Sequence, residues 1–208
     1  MDLTLYGYWR SGTSYRTRIG LELKGLRYET VALDLRQSAQ KSDAFLALNP
    51  QGLVPALKAG DQILTQSPAI LEWLDEQYPQ NPLLPTDPIK RAQVRALAAL
   101  VGCDIHPLNN LRVLKAVRGL GAADNDWAGQ WIVPGFAAAE ALMAGQPGPW
   151  AFGETPGLAD CYLVPQIYSA RRFGVDMSAF PRLSALEAAA TAHPAFIAAH
   201  PDNQPDAD

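Results

Sequence analysis

Trp9-Arg10-Ser11-Gly12-Thr13-Ser14 joins a short apolar strand, Leu3-Thr-Leu-Tyr-Gly-Tyr8, to a helical segment that starts near Ser14. Small hydroxyl residues and a glycine at a strand-to-helix turn aim backbone N–H groups, hydroxyls and the positive end of a helix dipole at one point. Such a turn suits an anion, and Arg10 adds a full positive charge beside it. A redox protein would place Cys-x-x-Cys here. This chain has hydroxyls and no cysteine in the turn.

Outward from that turn, strand and helix patterns alternate. The first helix carries Ile19, Leu21 and Leu23 and stops at Gly25. Tyr28-Glu-Thr-Val-Ala-Leu33 alternates as a second strand. Ser42 to Leu48 reads as a short helix ended by Asn49-Pro50. Leu53–Leu57 and Gln62–Thr65 read as a hairpin around Ala59-Gly60-Asp61. Ser67 is expected to cap a helix reaching Tyr78, with Pro68 at its first position. The order βαβαββα predicts a small mixed sheet covered by helices.

Pro79-Gln-Asn-Pro-Leu-Leu-Pro85-Thr-Asp-Pro88 places four prolines in ten residues and reads as a connection between domains. Beyond it the strand patterns cease. Val94, Leu97, Ala98, Val101 and Ile105 share a helical face, and the helix resumes after Pro107 as one long element kinked or broken there. Further helices are expected over about 125–143 and 157–173, with short Ala-rich helices between 181 and 199. The tail Pro201-Asp-Asn-Gln-Pro-Asp-Ala-Asp208 is polar and reads as a frayed end. The expected organisation is an α+β domain over 1–82, a linker over 83–88 and an all-helical domain over 89–208.

Composition narrows the class. With 208 residues, 48% hydrophobic and 18% charged, the chain can bury a sizeable core. A net charge of −4 argues against nucleic acid or an acidic membrane as the main partner. No apolar run approaches the roughly 20 residues that span a bilayer. The chain opens directly on strand pattern, without a basic region or cleavage site, so a cytoplasmic protein is expected. Its two cysteines, Cys103 and Cys161, then read as reduced, buried thiols. His106, His193 and His200 each precede proline, and Cys103 with His106 lacks a second ligand pair, so no metal site is expected.

Four motifs in order carry a family resemblance. Trp9-Arg-Ser-Gly-Thr-Ser-Tyr-Arg-Thr-Arg-Ile19 is similar to the zeta-class signature Ser-Ser-Cys-x-Trp-Arg-Val-Arg-Ile. Val54-Pro55, Gln66-Ser67 and Cys103-Asp-Ile-His-Pro-Leu-Asn-Asn-Leu-Arg112 follow. Together they resemble the glutathione transferase superfamily over nearly the whole chain, and within it the zeta class of maleylpyruvate and maleylacetoacetate isomerases. The resemblance implies a thioredoxin-like first domain, an all-α second domain, a cis Val54–Pro55 bond, glutathione as cofactor and a homodimer. Two departures matter. Thr13 stands at the zeta cysteine and Gly12 at the second serine, which excludes a mechanism using a protein thiol. The helix-opening Ser/Thr-x-x-Asp of the family is Gly157-x-x-Asp160 here, with Asp160 still able to reach the Gly157 N–H.

The implied chemistry assigns roles. Isomerising an activated cis alkene requires a temporary loss of its π bond, which a thiolate achieves by reversible addition. A free thiol has a pKa of about 8.5, and Ser11, with Thr13 or Ser14 nearby, is expected to lower that of glutathione. Gln66 and Ser67 would hold its γ-glutamyl end, Val54 and Pro55 its cysteinyl unit, and His106, Asn110 and Arg112 its far carboxylate. His106 and Asn110, four apart, would share a helical face, with Arg112 less squarely on it. The substrate implied is a small dianionic cis-enoyl compound, held by Arg10 and Arg172, with Arg171 the less favoured neighbour. Arg16 and Arg18 read as surface or structural charges, and Trp127, Trp131 and Phe136 as core. Competing functions are a broader transferase that releases its adduct and a non-enzymatic binding module.

Overall fold

A computed structural model describes all 208 residues. The chain forms two compact units, one of Met1–Pro82 with His193–Asp208 and one of Leu83–Ala192.

The first unit is built on a four-stranded sheet of order β2-β1-β3-β4, with β1 Leu3–Gly7, β2 Glu29–Ala32, β3 Ala56–Ala59 and β4 Gln62–Thr65. β1 runs parallel to β2 and antiparallel to β3, which pairs antiparallel with β4. Ala59 faces Gln62, so the hairpin turns on Gly60 and Asp61 alone. Gly60 has φ 59°, the left-handed conformation such two-residue turns require. The expected alternation of β2 is absent: this edge strand is exposed at all four residues. Three helices complete the order: α1 Gly12–Leu23, the short α2 Asp43–Leu48 and α3 Ser67–Gln77.

The core gathers Leu5 and Leu57, which pair across β1 and β3, with Ile19 and Leu21 of α1 and Ile70, Leu71 and Leu74 of α3. Each such fully buried side chain contributes about 1.5–3 kcal/mol. Gly20 lets α1 approach α3, because a Cβ there would collide with Leu71. The Lys24 ammonium, fully buried, donates to Asp75 at 2.7 Å and to the carbonyls of Tyr78, Gln80 and Asn81, fixing the chain after α3.

Two expectations are corrected here. Residues 193–208, assigned to the helical domain with a frayed tail, pack in the first unit. Their helix, α9 Pro194–Ala199, buries Ala195, Phe196 and Ala199 and lies against α1. Nor do Arg16 and Arg18 reach the surface; both are buried. The structural half of that reading holds, since Arg16 donates to Ser67 and Arg18 to the carbonyls of Trp9 and Ala199.

The second unit is all helical: α4 Pro88–Ala99, α5 Leu111–Gly119, α6 Asp124–Leu142, α7 Leu158–Arg172 and α8 Pro181–Ala192. α7 is its spine, buried along most of its length, and α4, α6 and α8 pack around it. Between α4 and α5 the chain passes through a π-helical stretch, Leu100–Ile105, and a 3-10 turn, His106–Leu108. Pro107 lies inside that turn and has no N–H to continue an α-helix. His106 and Asn110 therefore do not share a helical face, contrary to the spacing argument. Phe136 is core, but Trp127 is half-buried, donating Nε1–H to Leu108 O at 2.7 Å, and Trp131 is exposed. Cys161 is buried as expected, whereas Cys103 is exposed. No helix is long and apolar enough to cross a membrane.

Candidate active site

β1 ends at Gly7, and the turn delivers Ser11 to the N-cap of α1. Ser11 Oγ accepts the Ser14 N–H at 3.3 Å, and Ser11 O accepts the Tyr15 N–H. The N–H groups of Gly12 and Thr13 precede that first intrahelical bond, and the first turn contains no acidic residue. The positive end of α1 is thus left open to an outside anion.

The three hydroxyls of the turn have different duties. Ser14 is fully buried and its Oγ accepts the Tyr8 N–H at 3.3 Å. Thr13 donates its hydroxyl to Val54 O at 3.0 Å. Ser11 Oγ and Thr13 Oγ1 lie 3.0 Å apart, and with the Thr13 proton committed to Val54, Ser11 is the donor between them. Thr13 would break its bond to the backbone by turning to a ligand and Ser14 is fully buried, so Ser11 is the hydroxyl that can redirect its proton outward.

Val54–Pro55 is a cis peptide bond, as the resemblance implied. The loop before it is tied by Asn49, whose Nδ2 donates to Leu53 O at 2.8 Å while Oδ1 accepts the Gln51 N–H. Gln51 in turn accepts Gln66 Nε2–H at 2.6 Å. Gln66 itself has φ 67°, a left-handed conformation that costs a side-chain-bearing residue energy and clusters at ligand clamps.

Ser67 is not the cap of α3. Gln66 occupies the N-cap and makes no side-chain cap bond, while Ser67 is the first helical residue and Pro68 follows it. Ser67 Oγ accepts from Arg16 Nη1 at 3.1 Å, which points the hydroxyl proton away from the guanidinium. Asn49, Gln51 and Arg16 were missed as site residues. A chain turn at Asn49-Pro50 was visible, but the Gln51–Gln66 contact spans loops that no local pattern links.

Arg10 is half-exposed, its guanidinium 5.2 Å from the centroid of the Trp9 ring. In the second unit, Arg172 is exposed and lies 5.9 Å from the ring centroids of both Tyr168 and Phe173. Arg171 is engaged by Glu187, with Nε at 2.6 Å from Oε1. Asn110 caps α5: Oδ1 accepts the Val113 N–H at 3.2 Å and Nδ2 donates to Pro107 O at 2.8 Å. His106 is half-buried and Arg112 is exposed on the first turn of α5. No group of three or more His, Cys, Asp or Glu could hold a metal ion.

Residues 1–76 match the model of the glutathione S-transferase N-terminal domain, and residues 121–189 that of its C-terminal domain. A maleylpyruvate isomerase of a Ralstonia species is 56% identical over 210 residues, spanning 98% of this chain and 99% of that protein. The chain belongs to the glutathione S-transferase family. The chain is also similar to a holo structure of maleylpyruvate isomerase, a bacterial zeta-class glutathione S-transferase, at TM-score 0.96 and 55% identity, covering 99% of this chain and 100% of that one. Maleylacetoacetate isomerase from Anaeromyxobacter dehalogenans, solved with GSH in its active site, matches at TM-score 0.91 and 46% identity, covering 100% and 98% of the two chains. The family's thioredoxin-like domain and its helical domain correspond to the mixed sheet and the helices built around α7.

Proposed function

We propose that this protein is a glutathione-dependent cis–trans isomerase that converts maleylpyruvate to fumarylpyruvate in the breakdown of aromatic acids. The observation that carries the reading is the proton arrangement of the turn, in which Ser11 is the hydroxyl free to donate outward. Bound glutathione supplies the thiolate that adds reversibly to the cis double bond and so permits rotation. The donor set fits that group: an open helix N-terminus for sulfur, and a second polar helix start at Gln66 and Ser67 for a carboxylate.

Ser11 directs its O–H, and Gly12 and Thr13 their N–H groups, at the sulfur, holding it ionised at neutral pH. Thr13 acts as a brace: its bond to Val54 O fixes the turn against the loop that offers backbone groups to the cysteinyl unit. The Ser67 hydroxyl and the Gln66 amide hold the γ-glutamyl carboxylate, with Arg16 orienting Ser67 from beneath. Arg10 and Arg172 hold the two substrate carboxylates and meet the charge that develops on addition. The Arg171–Glu187 pair supports choosing Arg172 over its neighbour. His106 and Arg112 serve the glycyl carboxylate, with the Asn110 amide largely spent on its cap. A homodimer in the reducing cytoplasm is part of the same proposal.

The test compares maleylpyruvate, maleylacetoacetate and a neutral halo-aromatic, each with and without glutathione. Turnover of maleylpyruvate only with glutathione is expected. Faster turnover of maleylacetoacetate moves the substrate to tyrosine breakdown, and glutathione-independent turnover overturns the reading. Arg10→Ala and Arg172→Ala should each raise KM for maleylpyruvate about tenfold while sparing conjugation of the neutral compound.

A further inference from the structure

The Trp9 peptide opens the thiolate-holding turn, and the end of the chain grips it. The Trp9 N–H donates to Asp206 Oδ2 at 3.0 Å. The Trp9 C=O accepts from Arg18 Nη2 at 2.9 Å, and Nε of the same buried guanidinium donates to Ala199 O at 2.9 Å. Thus one end of the tail, at Ala199, and the other, at Asp206, meet the turn through the two peptide groups that flank the Trp9 Cα.

The tail between them is folded rather than draped. The His200 ring stands edge-on to Tyr15 with centroids 5.8 Å apart, and Pro201 is buried. Gln204 Nε2 donates to Ala198 O at 2.9 Å and to His200 O at 2.8 Å, and the Ala207 N–H returns to Gln204 O. Asp208 pairs with Arg36. These contacts hold Asp206 in place beneath a peptide that no strand pairs, since β1 ends two residues earlier at Gly7.

Arg10 follows the gripped peptide directly and Ser11 is the next residue, so a rotation of the Trp9 unit moves both functional groups. Donors that stabilise a reacting charge lose their effect when displaced by a fraction of an ångström. We propose that Asp206 is a positioning residue for the active-site turn, acting through the Trp9 N–H to fix the direction of the Ser11 hydroxyl. The proposal rests on the reading of Ser11 as donor to the glutathione thiolate.

The experiment uses full-length D206A, D206N and D208A beside S11A. It reads kcat, KM for glutathione, the pKa of the bound thiol from thiolate ultraviolet absorbance, and amide exchange at Trp9. D206A should raise the thiol pKa by about one unit and lower kcat about tenfold, with a change in KM of under about threefold. Exchange of the Trp9 N–H should quicken. D206N keeps an acceptor oxygen and should restore most of kcat, which assigns the effect to geometry rather than to charge. D208A loosens the tail at Arg36 without touching the turn and should stay near the parent. If D206A fails to fold, D206S, too short to reach Trp9, carries the same expectation. A lowered melting temperature with parental thiol pKa and kcat would overturn the proposal and leave a merely structural tie. If S11A leaves the thiol pKa unmoved, the underlying reading of Ser11 falls and the proposal with it. If S11A shifts that pKa and the Asp206 variants do not, only the positioning role is lost.

Discussion

Helices α1 and α7 each begin on a small-residue turn, and each must satisfy first-turn N–H groups that no helix bonds internally. At α7 the chain brings its own anion. Leu83 O takes the Leu158 N–H at 2.8 Å, and the buried Asp160 carboxylate fills the helix start, accepting the N–H of the N-cap Gly157 at 2.8 Å and that of the buried Ala151 at 2.9 Å. At α1 no carboxylate stands in the first turn, and Ser11 offers a hydroxyl that can turn outward. One N-terminus is closed by the fold and serves stability; the other is left open, and on the proposed function it serves chemistry. A helix start becomes a site only when the sequence withholds the side chain that would fill it.

Gly157 sharpens the contrast. The family pattern places Ser or Thr here, yet a Cβ on Gly157 would lie 2.8 Å from Leu83 O. That carbonyl accepts the Leu158 N–H at 2.8 Å, so the space a capping side chain would use holds backbone instead.

The comparison can be broken in order of effect. Ser11→Ala should lower kcat roughly a hundredfold, as loss of one preorganised donor does, with a stability loss no greater than its helix cap supplies, about 0.5–2 kcal/mol. Steady-state kinetics and calorimetry check it; a variant with parental kcat would remove α1 from the chemistry. Asp160→Ala should do the reverse, costing about 2–3 kcal/mol of stability through one buried and one half-buried N–H group left unpaired. Denaturant unfolding measures that loss, and glutathione affinity of the folded fraction should be retained.

The pH dependence of stability separates the two ends further. Burial pushes the Asp160 carboxyl up to about 6, outweighing three backbone donors, the N–H groups of Ala151, Gly157 and Asp160 itself, and the nearby Arg182 charge, which act to lower it. Its ordinary value is near 3.8, so between the two values folding takes up a proton. The stabilisation is fully present below the ordinary value and is lost as pH rises through 6. Acidifying from pH 7 to 5 should therefore add about 1–2 kcal/mol from this group, an increment absent from Asp160→Asn. Smallest is Thr13→Val, which removes the brace to Val54 O and should cost about threefold in kcat, near the value of one ordinary hydrogen bond; Thr13→Ser should restore it.

Much of this was legible because it is local. The starts of α1 and α7 are written in Ser11 and Gly157-x-x-Asp160, whose cap geometry depends on residues within four positions. The start of α3 was announced by Pro68, yet both cap and first residue were placed one position late, since nothing local announces φ 67° at Gln66. Arg16 and Arg18 looked like surface charges because their acceptors, Ser67, Ala199 and Trp9, come from three separate stretches of chain. The chain end misled in the same way: the Ala-rich helix of Ala195, Phe196 and Ala199 was read with the helical domain and the polar stretch after it as frayed, because their partners lie far away in sequence, at α1 and Trp9. Trp131 was read as core from its aromatic character, although its face of α6 is exposed.

The return of residues 193–208 to the first unit also sets an order of assembly. A ribosome completes Leu83–Ala192, a continuous stretch, before it delivers the segment that holds Trp9. The helical unit can fold while synthesis continues, but the unit bearing the active-site turn must wait and then close a loop of more than a hundred residues. The first unit is thus discontinuous in the chain, and the turn at Trp9 gains its last contacts only after the whole helical unit has been made.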